Sequence, residues 1–218
     1  MKLEQIAIYR ITHIENIPHV LQYGITHKNS SNNTKGYVSI GDMSLIDVRT
    51  SKEVWVDNGD FQNLQAQTIT LGDFIPFYFG AKMPMLYVIQ HGGNFVEKAT
   101  SPHSIVYLKC FLVKVIENCP LYFFSDGHAT DGYTTFYDKS KLNSLPSIID
   151  WEAVREQYWG GHENLNLKRK KQAEFLVSTD VPAKCISAFG CYDEAAKQKL
   201  LTFGIEASKI KLIPHAYY

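Results

Sequence analysis

The stretch Lys168-Arg169-Lys170-Lys171-Gln172-Ala173-Glu174-Phe175-Leu176-Val177 sets a run of cations, one carboxylate and an apolar run in immediate succession. The pattern predicts a basic helical end passing straight into a strand, with Glu174 at the junction. A lone acid there can point along a sheet edge into a cleft, and the cations before it can hold a polyanion against that cleft. This suits glycosidic-bond chemistry on a nucleotide. Cleavage at the anomeric carbon leaves an oxocarbenium-like centre, which needs a carboxylate near the ribose hydroxyls and cations on the phosphates. The residues alone equally allow Glu174 to be an exposed partner of Lys170 or Lys171, since charge runs are commonly solvated faces. Successive helical residues turn by roughly 100°, so only part of the basic run can meet phosphates at once. Lys170, with Arg155 further upstream, is the candidate for nucleic-acid contact.

Other residues carry weaker signals. His13 ends an apolar segment beginning at Ile6, where a histidine is more often structural than functional. Asn16 can contact a ligand or simply cap the helix that follows. Arg49, in Ile46-Asp47-Val48-Arg49, can stabilise an anion or pair on the surface with Asp47 or Glu53. Tyr78 and Phe79 are strand neighbours, so only one can face a cleft, and the hydroxyl favours Tyr78 as the wetter of the two. His128, in Ser125-Asp126-Gly127-His128, begins a turn-rich region with Tyr133 and Tyr137 beyond it. Such a region can read exposed bases by stacking and hydrogen bonds, although turn chemistry accounts for Asp126 and Gly127 without a ligand.

These residues need elements to hold them. Ile6 to His13 reads as a strand, and Asn16 to Gly24 as a short helix with Pro18 in its first turn. Lys28 to Lys35 is a polar run predicted to be a mobile loop able to close over a ligand. Ser51 to Gln67 is a second polar stretch around an Asn58-Gly59 turn. Phe74 to Phe79 reads as a buried strand, and Pro84 to Gln90 as a helix stopped by Gly92-Gly93. Further strands are expected at Ser104–Leu108, Leu121–Phe124, Phe175–Val177, Ile186–Phe189 and Lys211–Ile213. Helices are expected at Trp151–Tyr158, within Asn166–Ala173, and from Asp193 to Gly204. This order of strands and helices implies an α+β domain with a mixed or antiparallel sheet.

At 218 residues and 45% hydrophobic content the chain can bury a substantial core, and its length favours one domain over residues 1–218. The 22 basic and 22 acidic residues balance, so any polyanion contact must come from a local patch. Cys110, Cys119, Cys185 and Cys191 form no Cys-x-x-Cys pair and have no zinc-finger spacing, so they are expected to be reduced core thiols with no structural metal. Charged residues interrupt the N-terminal region, and Gly80, Lys82 and Pro84 break the longest apolar tract; a soluble cytoplasmic protein with no membrane contact is expected. Neither G-x-G-x-x-G nor G-x-x-x-x-G-K occurs, so a dinucleotide is not held as in a Rossmann or P-loop protein.

Taken in order, Tyr9-Arg10-Ile11-Thr12-His13, Phe74-Ile75-Pro76-Phe77-Tyr78-Phe79, Ser125-Asp126-Gly127-His128, Tyr133-Thr134-Thr135-Phe136-Tyr137 and the Glu174 stretch resemble the DarT family. DarT proteins are NAD-dependent ADP-ribosyltransferase toxins of a toxin–antitoxin system that act on single-stranded DNA. The resemblance runs from about Ile8 to Phe189 and sharpens the fold to the ADP-ribosyltransferase type, a central split sheet flanked by helices. It implies that Glu174 is the catalytic carboxylate, that Arg49 stabilises the acceptor base as it loses its proton, and that His13, Asn16 and Tyr78 contact NAD, Tyr78 by stacking on nicotinamide. The Ser44–Val54 segment is less basic than the family's. The implied partners are single-stranded DNA, with thymidine as acceptor, and a DarG-like macrodomain antitoxin; no metal is called for. Guanosine in DNA, RNA, a protein side chain, and non-catalytic nucleic-acid binding remain as alternative readings.

Overall fold

The computed structural model describes residues 1–92, 96 and 98–218. Ten strands and eight α-helices, interspersed with short 3-10 segments, follow one another along the described residues. In the first half they are β1 (Ala7–His13), α1 (Ile17–Tyr23), α2 (Met43–Ser51), β2 (Glu53–Val56), β3 (Gln67–Thr70), β4 (Ile75–Tyr78), α3 (Pro84–His91), β5 (Ile105–Phe111) and α4 (Leu112–Asn118). The second half holds β6 (Tyr122–Ser125), β7 (Phe136–Tyr137), α5 (Leu145–Ile148), α6 (Trp151–Arg155), α7 (Leu165–Lys171), β8 (Glu174–Val177), β9 (Ile186–Cys191), α8 (Glu194–Thr202) and β10 (Ile210–Leu212).

Eight strands form one sheet in the order β10-β9-β5-β1-β4-β8-β6-β7, and β2 and β3 form a separate hairpin. Only β10 and β9 run parallel; the other neighbours are antiparallel. The sheet is split down its middle. β1 pairs with β5 at every residue from Ala7 to His13, yet meets β4 only at Tyr9↔Tyr78. Beyond that contact the strands part, and the Arg10 guanidinium spans the gap, donating from Nη1 to the Pro76 carbonyl at 2.9 Å.

The period of two along each strand sorts the side chains onto two faces. Ile8, Phe77, Phe124, Phe175 and Val177 point to one face and join α1, α4 and α8 in the largest core. The other face carries two smaller cores. One lies under the β2–β3 hairpin with Phe123, Phe136 and Leu176, and the other under α3 with Met83, Leu86 and Tyr107. Glu174 has the parity of Leu176, so it faces the trough between these two cores.

Several local expectations are corrected. α2 and α4 occupy segments without an expected helix, β2 lies inside the polar stretch Ser51–Gln67, and the helix from Trp151 stops at Arg155, short of Tyr158. Gly92, at φ 70°, ends α3 by donating to Val88; Gly93 lies outside the described residues. The Lys28–Lys35 loop is irregular as composition implies, and is stitched down by Asp180, which accepts from the His27 backbone and the Ser30 hydroxyl. All four cysteines are buried free thiols, and no helix among the described residues is long and apolar enough to cross a membrane.

Candidate active site

The trough holds a cavity of about 180 Å³ walled by Arg10, Thr12, Tyr78, Arg49, His128 and the loop Tyr37–Asp42. Glu174, the first residue of β8, is fully buried beside two of these wall residues, paired with Arg49 and set opposite Tyr78 across the strands. Its carboxylate accepts from Arg49 Nη1 at 2.9 Å (Oε2) and 3.2 Å (Oε1), and from the Ala129 backbone N–H at 3.1 Å (Oε1). The Glu174 N–H donates to Ser125 Oγ, whose hydroxyl in turn donates to the Gly127 carbonyl. Two partners thus fix the carboxylate and a third holds the backbone of the same residue. Arg49 answers its charge but is not used up: among the described residues no acceptor reaches its buried Nη2 atom, nor Arg10 Nε. Unsatisfied buried donors on guanidinium groups are costly unless a ligand answers them.

Arg49 reaches this place because α2 lies across the mouth of the split. Asp42 caps α2 by accepting from the Ser44 and Leu45 N–H groups. The helix end then rests on the Leu71–Asp73 turn at Gly72, where a Cβ would lie 2.7 Å from Thr50 Cα and 2.9 Å from the Arg49 carbonyl. Only glycine allows that approach. Of the two readings of Arg49, the alternative of a surface pair with Asp47 or Glu53 is not found among the described residues; the guanidinium makes a buried pair with Glu174.

The basic run divides between two environments, as helical rotation requires. Arg169 and Lys171 are buried, so only Lys168 and Lys170 keep solvent reach. Arg169 pairs with Asp126 at 2.9 Å and accepts the His128 N–H on its carbonyl, which holds the Ser125–Thr135 loop that supplies Ala129. Gly127 leaves room for it, since a Cβ there would sit 2.4 Å from Arg169 Nη1. Lys170 is half exposed and pairs with Asp150 at 2.9 Å. Arg155 lies away from the trough, with its guanidinium 6.0 Å from the Trp151 ring.

Asn16 stands at the start of α1, yet its side chain makes no cap hydrogen bond, contrary to the cap expectation. Its amide is instead spent on the loop. Asn16 Nδ2 donates to the Val38 carbonyl and Oδ1 accepts the Val38 N–H, each at 2.8 Å, while Nδ2 also donates to Thr12 Oγ1. His13 lies outside the cavity wall and accepts from the Glu15 N–H on Nδ1. Tyr78 lines the cavity, whereas Phe79 is buried edge-on against Trp151 and Phe175. Burial, then the Glu174 carboxylate, pushes the Tyr78 phenol far above its ordinary value, so it stays a neutral donor. His128 also lines the cavity, and burial holds its imidazole below the ordinary value. Tyr137 stacks on Phe124 inside the core, and Tyr133 is 89% exposed beside His128.

Arg10 and Thr12 are site residues that strand parity alone would not single out. The signal for Arg10 is a guanidinium in an otherwise apolar strand, a placement that needs a buried partner or a ligand.

A split, mostly antiparallel sheet flanked by helices is the fold expected of the ADP-ribosyltransferase type. A family model described as ssDNA thymidine ADP-ribosyltransferase, DarT, matches residues 9–218, and the chain belongs to the DarT family. It is 30% identical over 198 residues to a DNA ADP-ribosyl transferase of Escherichia coli O127:H6, covering 90% of this chain and 85% of that protein. It is 31% identical over 187 residues to another from Thermus aquaticus, covering 83% and 78%. The fold is similar to Thermus sp. 2.9 DarT in complex with ADP-ribosylated ssDNA, with TM-score 0.78, 25% identity and coverage of 99% of this chain and 97% of that one.

Proposed function

We propose that residues 1–218 form one transferase domain that moves ADP-ribose from NAD to thymidine in single-stranded DNA, acting as the toxin of a cytoplasmic toxin–antitoxin pair that blocks replication. The observation that carries this reading is the buried Glu174–Arg49 pair, whose Arg49 lines the split-sheet cavity and has an unanswered Nη2. Family membership and the likeness to a Thermus sp. 2.9 DarT in complex with carba-NAD+, 25% identical with TM-score 0.74, support NAD as the donor.

The chemistry follows from charge. The bond between the ribose anomeric carbon and nicotinamide breaks, nicotinamide leaves with the bonding electron pair, and the ribose carries positive charge until a thymine nitrogen adds to it. That nitrogen loses its proton to the medium or to a base. Glu174 holds a ribose hydroxyl and offsets the developing charge. Arg10 faces the pyrophosphate, and Tyr78 lies against nicotinamide. Arg49 Nη2 donates to a thymine carbonyl as the base becomes anionic. His128, kept neutral by burial, is placed to take the proton. Exposed Tyr133 offers a flanking base a stacking face, and Lys168 and Lys170 meet the strand's phosphates. Asn16 acts by shaping the Tyr37–Asp42 wall, and His13 by fixing the end of β1.

A fusion protein from Thermosipho africanus joins a DNA ADP-ribosyl transferase to a DNA ADP-ribosyl glycohydrolase; this chain matches 47% of its length at 28% identity. It supports a partner that removes the mark, here a DarG-like macrodomain antitoxin in trans. Labelled NAD with separate DNA, RNA and protein acceptors tests the whole reading. Label is expected on thymidine-containing single-stranded DNA alone; label only on guanosine, RNA or polypeptide, or none, overturns it.

A further inference from the structure

A second cavity, of about 350 Å³, opens on the other side of the Tyr9↔Tyr78 contact, below the point where β1 and β4 part. It shares no wall residue with the trough. Three cationic residues line it: Lys171 from the end of α7, Lys82 from the turn after β4, and Arg155 from the end of α6. We infer that this cavity is a nucleotide-binding site that takes the phosphate on these cations and the base against its aromatic wall.

Lys171 is the strongest observation. Its side chain is 2% exposed, and its ammonium donates only to the Val154 carbonyl, at 3.1 Å. An ammonium has three N–H donors, so two are without a hydrogen-bond partner among the described residues, on a residue that lines the cavity. Burying such a group without a hydrogen-bonded carboxylate is costly; burial pulls its pKa down to about 8, with the Glu156 carboxylate opposing and the Lys82 ammonium reinforcing the shift. The acid on the wall, Glu156, is engaged by the Gln157 and Tyr158 backbone N–H groups.

Lys82 adds an independent sign. It is a non-glycine residue at φ 55°, a strained conformation that persists only when its surroundings enforce it. Two tyrosines do so: the Lys82 N–H donates to Tyr107 Oη at 3.0 Å, and Tyr218 Oη donates to the Lys82 carbonyl at 2.7 Å. The ammonium of Lys82 is held 5.1 Å over the Tyr218 ring and forms no ion pair among the described residues. Tyr9 and Trp151 supply apolar wall on which a base can lie. The size falls in the range of small-molecule sites, about 300–1,000 Å³. Excess positive charge with aromatic walls matches a phosphate ester carrying a base, either a free mononucleotide or one unit of a single strand.

Calorimetric titration of the full chain with inorganic phosphate, thymidine 5′-monophosphate and a short oligonucleotide tests this. In the paired variant Lys82→Ala/Arg155→Ala, and in Lys171→Met, nucleotide affinity is expected to fall by at least about tenfold, the scale of losing one charge-assisted contact. Lys171→Arg should retain it. A mononucleotide bound as tightly as the oligonucleotide identifies a free nucleotide as the occupant; tight binding of the oligonucleotide alone identifies a strand. Unchanged affinity for both in Lys82→Ala/Arg155→Ala overturns the site. Phosphate binding as tight as either nucleotide overturns the role of the aromatic wall, and a parallel loss of NAD affinity in the paired variant overturns the separation of the two cavities.

Discussion

Tyr78 and Glu174 are Cα partners across β4 and β8, and Tyr78 is also the residue through which β4 meets β1, at Tyr9. The carboxylate, the phenol and the single rung that joins β1 to β4 thus lie on one line across three strands. Above that line the strands diverge into the trough; below it lies the second cavity. A residue set on this rung moves only if the sheet moves, which supplies the fixed electrostatics that charge-developing chemistry requires.

Glu174→Gln tests the carboxylate more cleanly than Glu174→Ala. The amide oxygen still accepts from Arg49 or Ala129, so the fold should survive, whereas alanine strands a buried guanidinium and costs about 3–5 kcal/mol. Transfer in Glu174→Gln should drop by about 10²–10³-fold, the scale of losing one transition-state electrostatic contact. Single-turnover labelling of an oligonucleotide, with a melting curve on the same sample, separates the two effects. Near-native labelling would remove Glu174 from the chemistry.

Gly72→Ala reaches the site without touching it. The added methyl would meet Thr50 Cα and the Arg49 carbonyl, both backbone-borne, so α2 must lift and carry Arg49 away from Glu174. A cost of about 1–3 kcal/mol is expected from overpacking, with a fall in transfer rate larger than the fall in NAD affinity. Gly36→Ala is the control, because its Cβ would meet nothing within 4 Å. Equal behaviour of the two variants would mean that the α2 contact does not position Arg49.

What the chain discloses unaided follows where burial leaves a pattern. β1, β4, β9, α1 and α8 are legible because their apolar residues recur at the period of the element and their ends carry Pro, Asp or Gly. The strand at Glu174 is legible because charge changes to apolar within one residue. α2 is not: none of its residues is buried, and Met43, Ile46 and Val48 are exposed, so no apolar stripe marks it and Asp42 is its one signal. α4 follows β5 without a break and carries Val113, Val115 and Ile116, β-branched residues that propensity assigns to a continuing strand. The Glu174–Arg49 pair joins residues 125 apart, and nothing local to either announces the other. Thymidine as acceptor and NAD as donor rest on family membership, since no composition or spacing encodes them.

Asn16→Asp should unfasten the cavity wall. The native amide both donates to and accepts from Val38, as a neighbouring strand would. A carboxylate can accept but not donate, and would leave the Val38 carbonyl and Thr12 Oγ1 without their donor, costing about 1–3 kcal/mol. The expected signature is a raised KM for NAD with a smaller change in kcat, together with faster amide exchange at Val38. A kcat effect with KM unchanged would assign Asn16 a direct part in the chemistry.

His128 gives the molecule a pH signature whose sign is fixed by its surroundings. Burial is the main cause of its lowered pKa; the Glu174 carboxylate opposes this and Arg49 reinforces it. Its folded pKa lies below the ordinary value near about 6.5, so the unfolded chain binds the proton more readily. The resulting stability is complete above about pH 6.5 and is lost as pH falls through the folded value. His13, lowered mainly by burial, adds with the same sign. Asp138 and Asp150 are held below the ordinary carboxylate range, so their titration lies on the acid side of this window. The melting temperature should therefore decline between about pH 7 and 5, and His128→Asn should flatten part of that decline. Transfer by the native chain should fall over the same interval, because a protonated imidazole can no longer accept the thymine proton. A melting profile of His128→Asn identical in slope to the native one would place the titration at another group, and unchanged transfer by that variant at pH 7 would deny His128 the role of proton acceptor.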